Sequence, residues 1–441
     1  MSETLPPEIG APLHEAAAQL TRWAWSHPDV PLATIEQRLV EEMRSLLPTL
    51  LAAVVRRTTR SLVGHHAPPP LPCPGCGQVV RVQSWRSRRV ETIAGPLAIE
   101  RPWYCCRACH HGWSPTDQSL AVAPHHHLSA GVHAQVVRLG ATTTFREAAD
   151  LLAFLTGTHL SPETVRAHTD AEGATQEAVQ QAASTQVLQT REAATPVEEA
   201  PGTLVVETDG VMVRYRDGWH EVKLGVVGGQ QEGRLQEVSY VAARAEAERF
   251  GPRLLAEAAR RGALSVVGWE DARRDIARLR PVAVVGDGAV WIWNLAAEHF
   301  GTRVEIVDFY HASEHLWTLA RALFGAETQE AATWADTQIG GLWEHGATWI
   351  LPALAALDAA TEPEAKVLRQ ERGYFRTNAA RMDYPTFREQ ALPCGSGAVE
   401  AAAKHLVQQR MKRPGSRWSE HGAQAVLTLR AHYLSHPSLA A

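Results

Sequence analysis

Long apolar runs and a strong excess of one charge are both missing from the sequence. No segment reaches the roughly 18 consecutive apolar residues that suggest a membrane-spanning helix. The N-terminus also lacks the basic and then apolar order of a secretory signal, so we expect a cytoplasmic protein without a membrane partner. The formal net charge of the 441 residues is −5, so any contact with nucleic acid has to come from local basic patches.

Cysteine is scarce outside one short segment. Five of the six cysteines lie between Cys73 and Cys109, and Cys394 stands alone. A disulfide framework is not expected in a reducing compartment, and two CxxC knuckles around a β-type stretch predict a zinc ribbon with one structural Zn²⁺ ion. The predicted ligands are Cys73, Cys76, Cys106 and Cys109. Cys105 is left over, His110 is an alternative ligand, and clustered free thiols are the alternative to a metal site.

Basic and aromatic residues alternate along the strands between the two knuckles. Trp85 and Trp103 stand among several arginines there. Arginines neutralise phosphates and aromatic rings stack on bases, so this face is a candidate DNA-binding surface. A solvated basic face is the alternative. The arginines assigned to DNA are Arg86, Arg88 and Arg89.

Residues 128–175 predict short helices, and two of them have a helix-turn-helix pattern. The first is 145–155, and Gly157 turns the chain. Ser161 is placed to cap a second helix in which Pro162 is the first residue. This pattern is typical of DNA-binding proteins, and it predicts that Arg166 faces DNA. Many helical hairpins share the pattern and bind nothing.

Two apolar strands in the second half of the chain, 203–207 and 281–285, are each followed by an Asp-Gly pair. Strands that alternate with helices predict an α/β sheet. Asp209 and Asp287 at neighbouring strand ends, with Glu400 on a helix beside them, would form an acidic pocket. Clustered carboxylates favour a bound cation, and their oxygens suit two Mg²⁺ or Mn²⁺ ions in phosphoryl transfer. Ordinary turn chemistry explains either Asp-Gly pair alone.

The stretch 394–420 carries an acid at the start of a helix and basic residues at its end. The small residues 395–397 precede the helix, and Pro414 stops it. Glu400 in the first turn and cations near the last turn also complement the helix dipole, which is the alternative to a functional role. The basic residues that we assign to the DNA backbone are Arg410, Lys412, Arg413 and Arg417.

Several of these stretches resemble the catalytic signature of DDE transposases, and most closely the ISKra-type insertion-sequence family. The similar segments are TDG at 208–210, GDGAVWIWN at 286–294, VDFYHASEHL at 307–316 and GSGAVEAAAKHLVQQRMKRPGSRWSE at 395–420. The zinc ribbon and the segment 374–385 are also similar to that family. The resemblance extends over roughly residues 70–435.

The resemblance implies a ribonuclease-H-like catalytic domain with Asp209, Asp287 and Glu400 as the acidic triad that binds two Mg²⁺ or Mn²⁺ ions. Asp308 and His311 match an Asp-x-x-His element, in which the histidine would contact DNA or position the phosphate. Asp308 competes with Asp287 as the second acid, and we favour Asp287 because it lies in the matching motif.

The implied activity is metal-dependent DNA strand cleavage and strand transfer. The partners would be double-stranded DNA, as terminal inverted repeats and target, and a second protomer or more. The alternatives are a ribonuclease-H-like nuclease or resolvase that does not join strands, and a domesticated zinc-dependent DNA-binding protein. The predicted regions are a helical N-terminus (1–64), the zinc ribbon (70–120), the helix-turn-helix (128–175), a helix that frays into a linker (176–202), the catalytic domain (203–311 and 393–435) and an all-helical insertion (312–392). In the N-terminus, the prolines at 28 and 31 separate two predicted helices, 13–25 and 34–62. In the catalytic domain, helices are predicted over 242–260 and 289–300.

Overall fold

The chain forms two compact units, Met1–Thr169 and Asp170–Ala441. Each unit has apolar clusters of its own, and both combine helices with β-strands. The predicted mixture of helices and strands is therefore confirmed. The computed structural model describes residues 5–59, 68–123, 127–195, 197–264 and 280–436.

Two helices begin the first unit. They are α1 (Pro7–Ser26) and α2 (Leu32–Thr58), and the prolines at 28 and 31 mark the turn between them, as the sequence predicts. The predicted end of the second helix, residues 60–62, lies outside the described residues. Within the described ranges, no helix combines the length and the apolar character that crossing a membrane requires.

A three-stranded antiparallel sheet carries the ribbon. β3 (Val82–Thr92) and β4 (Gly95–Cys105) pair as a hairpin, and β5 (Gly112–Trp113) pairs with β4. A separate two-stranded ladder lies before them, because β1 (Leu71–Pro72) pairs with β2 (Val79–Val80). One CxxC knuckle lies between the strands of the ladder and the other between β4 and β5, which is the layout that the cysteine spacing predicts.

The predicted helix, turn and second helix are all present. Gly157 ends the first helix in the left-handed conformation with φ 73°, and the Ser161 hydroxyl accepts a hydrogen bond from the Thr164 N–H at 3.0 Å. The second helix runs to Thr190, where alanine and glutamine favour helix, so the helix expected at the start of 176–202 continues from it without a break. The helices of this region are α3 (Pro115–Ser119), α4 (Ala130–Thr142), α5 (Phe145–Thr156) and α6 (Pro162–Thr190).

A five-stranded mixed sheet is the centre of the second unit. Its strands are β6 (Thr203–Tyr215), β7 (Gly218–Gln231), β8 (Arg234–Ala243), β9 (Val282–Gly286) and β10 (Arg303–Val307). Their order across the sheet is β8–β7–β6–β9–β10. β6, β7 and β8 pair antiparallel, whereas β9 and β10 run parallel to β6. β9 is buried along its whole length, as expected of a parallel strand inside a sheet.

The sequence did not indicate β8. It predicts a helix from residue 242, but residues 242 and 243 end the strand and the helix begins at Ala247. Pairing with β7 gives this segment a ladder of backbone hydrogen bonds. That tertiary pairing outweighs the helix propensity of the alanines.

Helices fill the stretch between β10 and the last acidic motif, as predicted for 312–392. Leu342 and Phe375 from these helices belong to the same apolar cluster as Val284 and Val285 of β9. The inserted helices therefore share one core with the sheet. The helices from β8 to this point are α7 (Ala247–Arg260), α8 (Val290–His299), α9 (Phe309–Phe324), α10 (Gln329–His345), α11 (Ala347–Ala355), α12 (Glu362–Asn378) and α13 (Tyr384–Glu389).

The helix that carries Glu400 changes its hydrogen-bond pattern along its length. α14 (Gly397–Ala402) continues into a π-helical turn (Ala403–Gln408) and then α15 (Gln409–Met411), ahead of the proline that was expected to stop it. The guanidinium of Arg430, on α16 (Glu420–Ser435), donates to the carbonyl of Leu406 at 2.7 Å and to the carbonyl of His405. These bonds occupy carbonyls in the π-helical turn.

Candidate active site and metal centre

The two Asp-Gly motifs lie side by side. Glu207 on β6 pairs with Val285 on β9 in parallel register. The same register, continued by two residues, sets Asp209 opposite Asp287. The predicted strand end at Asp209 is wrong, because β6 continues through Asp209 to Tyr215, where it stays paired with β7. β9 does end at Gly286, just before Asp287, so the two predicted acids are neighbours at the edge where β9 ends.

The charges at this edge influence one another. Burial raises the pKa of the Asp209 carboxyl, the N–H of Gly210 at 2.7 Å lowers it, and the negative charge of Asp287 raises it further. The charge of a protonated His311 acts in the opposite direction and lowers the pKa of Asp209. Two carboxylates coupled in this way are both ionised most easily when a cation lies between them.

Asp308 is a neighbour of these acids, but its carboxylate is occupied by hydrogen bonds within the protein. β10 pairs with β9 up to Gly286, so Asp308 follows at the same edge, where it is only 2 % exposed. One carboxylate oxygen accepts the N–H of His311 at 2.9 Å. The other accepts the N–H of Ser396 at 2.5 Å and also its hydroxyl. Both oxygens are thus used to cap α9 and to hold the turn before α14, which favours Asp287 as the second acid.

Glu207 is a site residue that the sequence analysis missed. Its carboxylate accepts the N–H of Val399 at 2.8 Å, at the start of the helix that carries Glu400. Glu207 and Asp209 are two residues apart on one strand, so their side chains lie on the same face of the sheet. Glu207 therefore holds the Glu400 helix on the face that carries Asp209. A carboxylate inside an apolar strand, two residues before Asp209, was the available signal.

The raised pKa of Glu207 makes the free energy of unfolding depend on pH. Burial raises its pKa to about 7, the N–H groups of Val399 and Ala398 oppose this, and the charges of Asp308 and Glu400 raise it further. A pKa above the unfolded value of 4.5 means that the folded state binds the proton more tightly. This contribution to stability is complete below about pH 4.5 and is lost as the pH rises through about 7.

The Glu207→Gln variant should lack this loss. Between about pH 5 and pH 8, the free energy of unfolding of the wild type should fall by about 3 kcal/mol relative to that of the variant. This magnitude follows from roughly 1.4 kcal/mol for each unit by which the pKa is raised. Chemical denaturation of both proteins at the two pH values measures the difference. Glu330→Gln, an exposed glutamate on α10, is the matched control. A constant difference between wild type and Glu207→Gln would contradict the raised pKa.

Glu400 lies on the solvent side of the site. Its side chain is exposed, and its helix contacts β6 and β7. Among the described residues, the three predicted acids do not form a group whose ligand oxygens all lie within 4.8 Å of one another. Like charges repel, which is consistent with the three carboxylates not forming such a group.

A chain of imidazole and carboxylate groups leads to the acidic edge. The Glu371 carboxylate lies 2.6 Å from Nδ1 of His315, and Nε2 of His315 lies 3.2 Å from Nε2 of His311. His311 and His315 are four residues apart on α9, which places them on one helix face. That spacing was visible in the sequence, but only the structure brings Glu371 to it.

Tyr374 joins this chain to Asp287. Its hydroxyl donates to the backbone carbonyl of Asp287 at 3.0 Å, and its ring stacks on His315 with centroids 3.7 Å apart. Burial is the main cause of its raised pKa, and the nearby charge of Asp287 adds to it. Tyr374 thus remains a neutral donor that links the inserted helices to the second Asp-Gly motif.

The four predicted zinc ligands converge in the first unit. The Sγ atoms of Cys73 and Cys109, and those of Cys76 and Cys106, are 3.5 Å apart, and all four lie within 4.8 Å of one another. Tetrahedral Zn²⁺ with Zn–S bonds of about 2.3 Å requires sulfur separations of about 3.8 Å. The set therefore fits a structural zinc ion, which would cross-link the two knuckles.

Backbone groups of the ribbon lower the pKa of one of these four thiols, that of Cys106. The backbone N–H groups of Cys109 and Ala108 are the main groups that lower the pKa of the Cys106 thiol, to about 7. Cys105 and His110 are outside the four-sulfur group. The thiolate form is the one that binds metal, so the lowered pKa favours ligation at Cys106. The coupled Cys109 thiol shifts the other way: the His111 N–H lowers its pKa, but hydrogen bonds with Cys76 and Cys73 and burial raise it overall.

Two of the arginines assigned to DNA are buried and hold the protein together. Arg88 is 8 % exposed, and its guanidinium lies 2.9 Å from the Asp117 carboxylate. Arg410 is 3 % exposed and lies over the ring of Trp418, 4.8 Å from its centroid. We therefore exclude both from the candidate DNA surface, since a buried guanidinium cannot reach a phosphate.

The other assigned cations lie at the surface or partly exposed. Arg86 stacks on Trp103 at 4.5 Å, Arg89 pairs with Glu91 at 3.0 Å, and Arg166 hydrogen-bonds Glu163 at 3.0 Å. Exposed ion pairs contribute little to stability, so Arg89 and Arg166 can exchange their carboxylate partners for phosphates at small cost. The other basic residues assigned to DNA that are exposed or partly exposed are Lys412, Arg413 and Arg417.

Most of the chain matches a protein family. No curated protein matches it. The model described as uncharacterised protein family UPF0236 matches residues 34–439, which takes in the cysteine cluster, the helix-turn-helix and every predicted acid. Because the match includes so much of the chain, the protein belongs to family UPF0236.

Proposed function

We propose that the protein is a DDE-type DNA transposase that cleaves and joins DNA strands with two Mg²⁺ or Mn²⁺ ions. The parallel register that sets Asp209 beside Asp287 carries the proposal. Docking of the Glu400 helix on the same face, through Glu207, supplies the third acid. Carboxylates on two adjacent strands, together with a third carboxylate on a helix docked beside them, are suited to binding divalent cations.

The sheet topology supports a ribonuclease-H-like catalytic domain. Three antiparallel strands are followed by two strands parallel to the first, in the order 3-2-1-4-5. That order is typical of ribonuclease-H-like domains. The helices inserted between the last strand and Glu400 occupy the place that the resemblance to DDE transposases implies.

The aspartates are oriented for cation binding by the backbone. One oxygen of Asp209 accepts the Gly210 N–H at 2.7 Å, and one oxygen of Asp287 accepts the Ala289 N–H at 2.8 Å. Among the described residues, the second oxygen of each has no hydrogen-bond donor. These oxygens and the Glu400 carboxylate would hold the ions, which supply charge stabilisation at the phosphoryl group and a stronger oxygen nucleophile.

The histidine chain would orient His311 beside the substrate. When Glu371 accepts the Nδ1–H of His315, Nε2 of His315 becomes the acceptor for the Nε2–H of His311. The ring of His311 is thereby fixed next to the acidic edge, close enough for its charge to act on the carboxylate of Asp209. In this role His311 positions a phosphate, and His315 and Glu371 act through it.

The zinc ribbon and the helix-turn-helix would recognise the ends of the element. Their arginines Arg86, Arg89 and Arg166 are exposed, whereas Arg88 is buried. Phosphate contacts of this kind set the position of the protein on the duplex. Bringing two DNA ends together would require at least two protomers, so we expect a homodimer or a higher oligomer on DNA.

A strand-transfer assay tests the proposal. The protein is incubated with Mg²⁺ and the DNA that flanks its gene, prepared with a free 3′-hydroxyl end, together with a plasmid target. We expect cleavage at the ends of the element and a covalently joined product. Cleavage without joining would replace the transposase by a nuclease or resolvase. Tight binding without cleavage would indicate a DNA-binding protein that is not an enzyme.

A further inference from the structure

The strand that carries Asp209 continues well beyond the acidic edge. It forms a tight hairpin with β7 through residues 216 and 217, and Gly218 allows the turn with φ 140°. The next residue, Trp219, is 57 % exposed. A tryptophan this exposed leaves a wide aromatic face in solvent, where it contributes little to folding.

The loop after the Glu400 helix is joined to the end of this strand. Trp418 donates its backbone N–H to the Arg214 carbonyl at 3.4 Å, and its own carbonyl accepts the Arg216 N–H at 3.0 Å. Its indole Nε1–H donates to the carbonyl of Met411 at 3.1 Å. The buried Trp418 therefore fixes the loop 412–417 against the hairpin that presents Trp219.

A small basic pocket lies between the hairpin and the loop. Its volume is about 190 Å³, and no acidic residue lines it, although the whole chain has a net charge of −5. Within the described residues, the side chains of Arg214, Lys412 and Arg417 form no ion pair. The basic and aromatic residues that line the pocket are Arg214, Trp219, Lys412, Arg413 and Arg417.

We propose that this pocket binds one unpaired nucleobase of a DNA strand, stacked on Trp219, with the flanking phosphates on Arg214, Lys412 and Arg417. The inference rests on the DNA substrate of the proposed function. Basic grooves with exposed aromatic rings bind single strands by combining phosphate contacts with base stacking. The volume is below the roughly 300 Å³ at which sites for drug-sized ligands begin, so it suits a single base and excludes a duplex.

The position of the pocket along the strand indicates which nucleotide it binds. Arg214 is five residues beyond Asp209, which is about 16 Å in an extended strand. Lys412 is twelve residues beyond Glu400, which is about 18 Å along a helix. At about 3.4 Å per stacked nucleotide, the bound base lies at most roughly five nucleotides from the acids, so we expect it in the DNA beside the cut.

Binding of the full-length protein to two overhang probes, in the absence of Mg²⁺, tests the pocket. Both probes are duplexes of the flanking DNA with an overhang of about five nucleotides, and in one of them the overhang bases are removed to leave the sugar-phosphate backbone. The wild-type protein should bind the probe with bases about tenfold more tightly, a typical effect of stacking one base. Trp219→Ala should abolish this preference, and Trp219→Phe should keep most of it.

Two further variants separate stacking from charge. Arg417→Ala should weaken binding to both probes equally and reduce the dependence of affinity on salt by about one phosphate contact. Trp25→Ala, at a tryptophan that is 80 % exposed on α1, should change nothing. Equal binding of both probes by the wild-type protein, or an unchanged preference in Trp219→Ala, would overturn the pocket while leaving the strand-transfer result untouched. A normal preference without strand transfer would keep the pocket and refute the transposase.

Discussion

Replacing Asp209 or Asp287 by Asn is expected to slow DNA strand cleavage at least about 10³-fold while the protein remains folded. Loss of a metal-holding carboxylate removes several kcal/mol of transition-state stabilisation, and about 4 kcal/mol corresponds to this factor. The unfolding temperature should stay constant or rise, because each change removes one of two coupled negative charges. Single-turnover cleavage of labelled DNA, together with thermal unfolding, measures both effects.

Two matched variants make the result specific. Asp336→Asn, at an exposed aspartate of α10, should leave cleavage and stability unchanged. Asp308→Asn should lower the unfolding temperature, since both of its oxygens accept hydrogen bonds in the folded protein. Full activity in Asp287→Asn, with lost activity and normal stability in Asp308→Asn, would reverse the choice of the second acid.

Replacing Cys106 by Ser is expected to remove the zinc ion and unfold the ribbon. A structural zinc ion contributes on the order of 10 kcal/mol to the folding of a small domain. Residues 70–120 have only small apolar clusters around the knuckles and the hairpin, so they have little else to hold them together. Metal analysis should show one zinc ion per chain in the wild type and none in the variant, and limited proteolysis should cut the ribbon.

The adjacent cysteine is the control for this experiment. Cys105 lies one residue away but is not part of the four-sulfur group, so Cys105→Ser should keep both the zinc ion and the resistance to protease. Retention of zinc in Cys106→Ser would mean that the ligand set is wrong. Loss of zinc in both variants would instead assign Cys105 as a ligand.

Local features of the fold were predictable because short-range physics decides them. The CxxC spacing sets the two knuckles, Ser161 caps its helix through its own hydroxyl, and Gly157 takes the left-handed conformation that ends the preceding helix. β8 was missed because its pairing with β7, and not its own composition, makes it a strand. Residues 176–190 differ from β8, because their alanines and glutamines favour helix by themselves and a helix is found there.

At the candidate site, residue types were predictable but their tasks were not. Asp287 and Asp308 look equivalent in the sequence, since each follows an apolar strand. Their hydrogen bonds separate them, because Asp308 uses both oxygens to hold backbone and hydroxyl groups. Glu207 was not recognised because its partner, the N-terminus of the Glu400 helix, is 192 residues away in the chain.

The sequence alone determined the four-cysteine cluster, the two Asp-Gly acids and most of the helices and strands, since these depend on neighbours within a few residues. Only the tertiary structure decided which arginines are buried, which aspartate is occupied by hydrogen bonds, and how the exposed Trp219 meets the basic loop after Glu400. These outcomes depend on contacts between segments that are far apart in the chain. Burial and electrostatic coupling follow from such contacts, so no local pattern could have specified them.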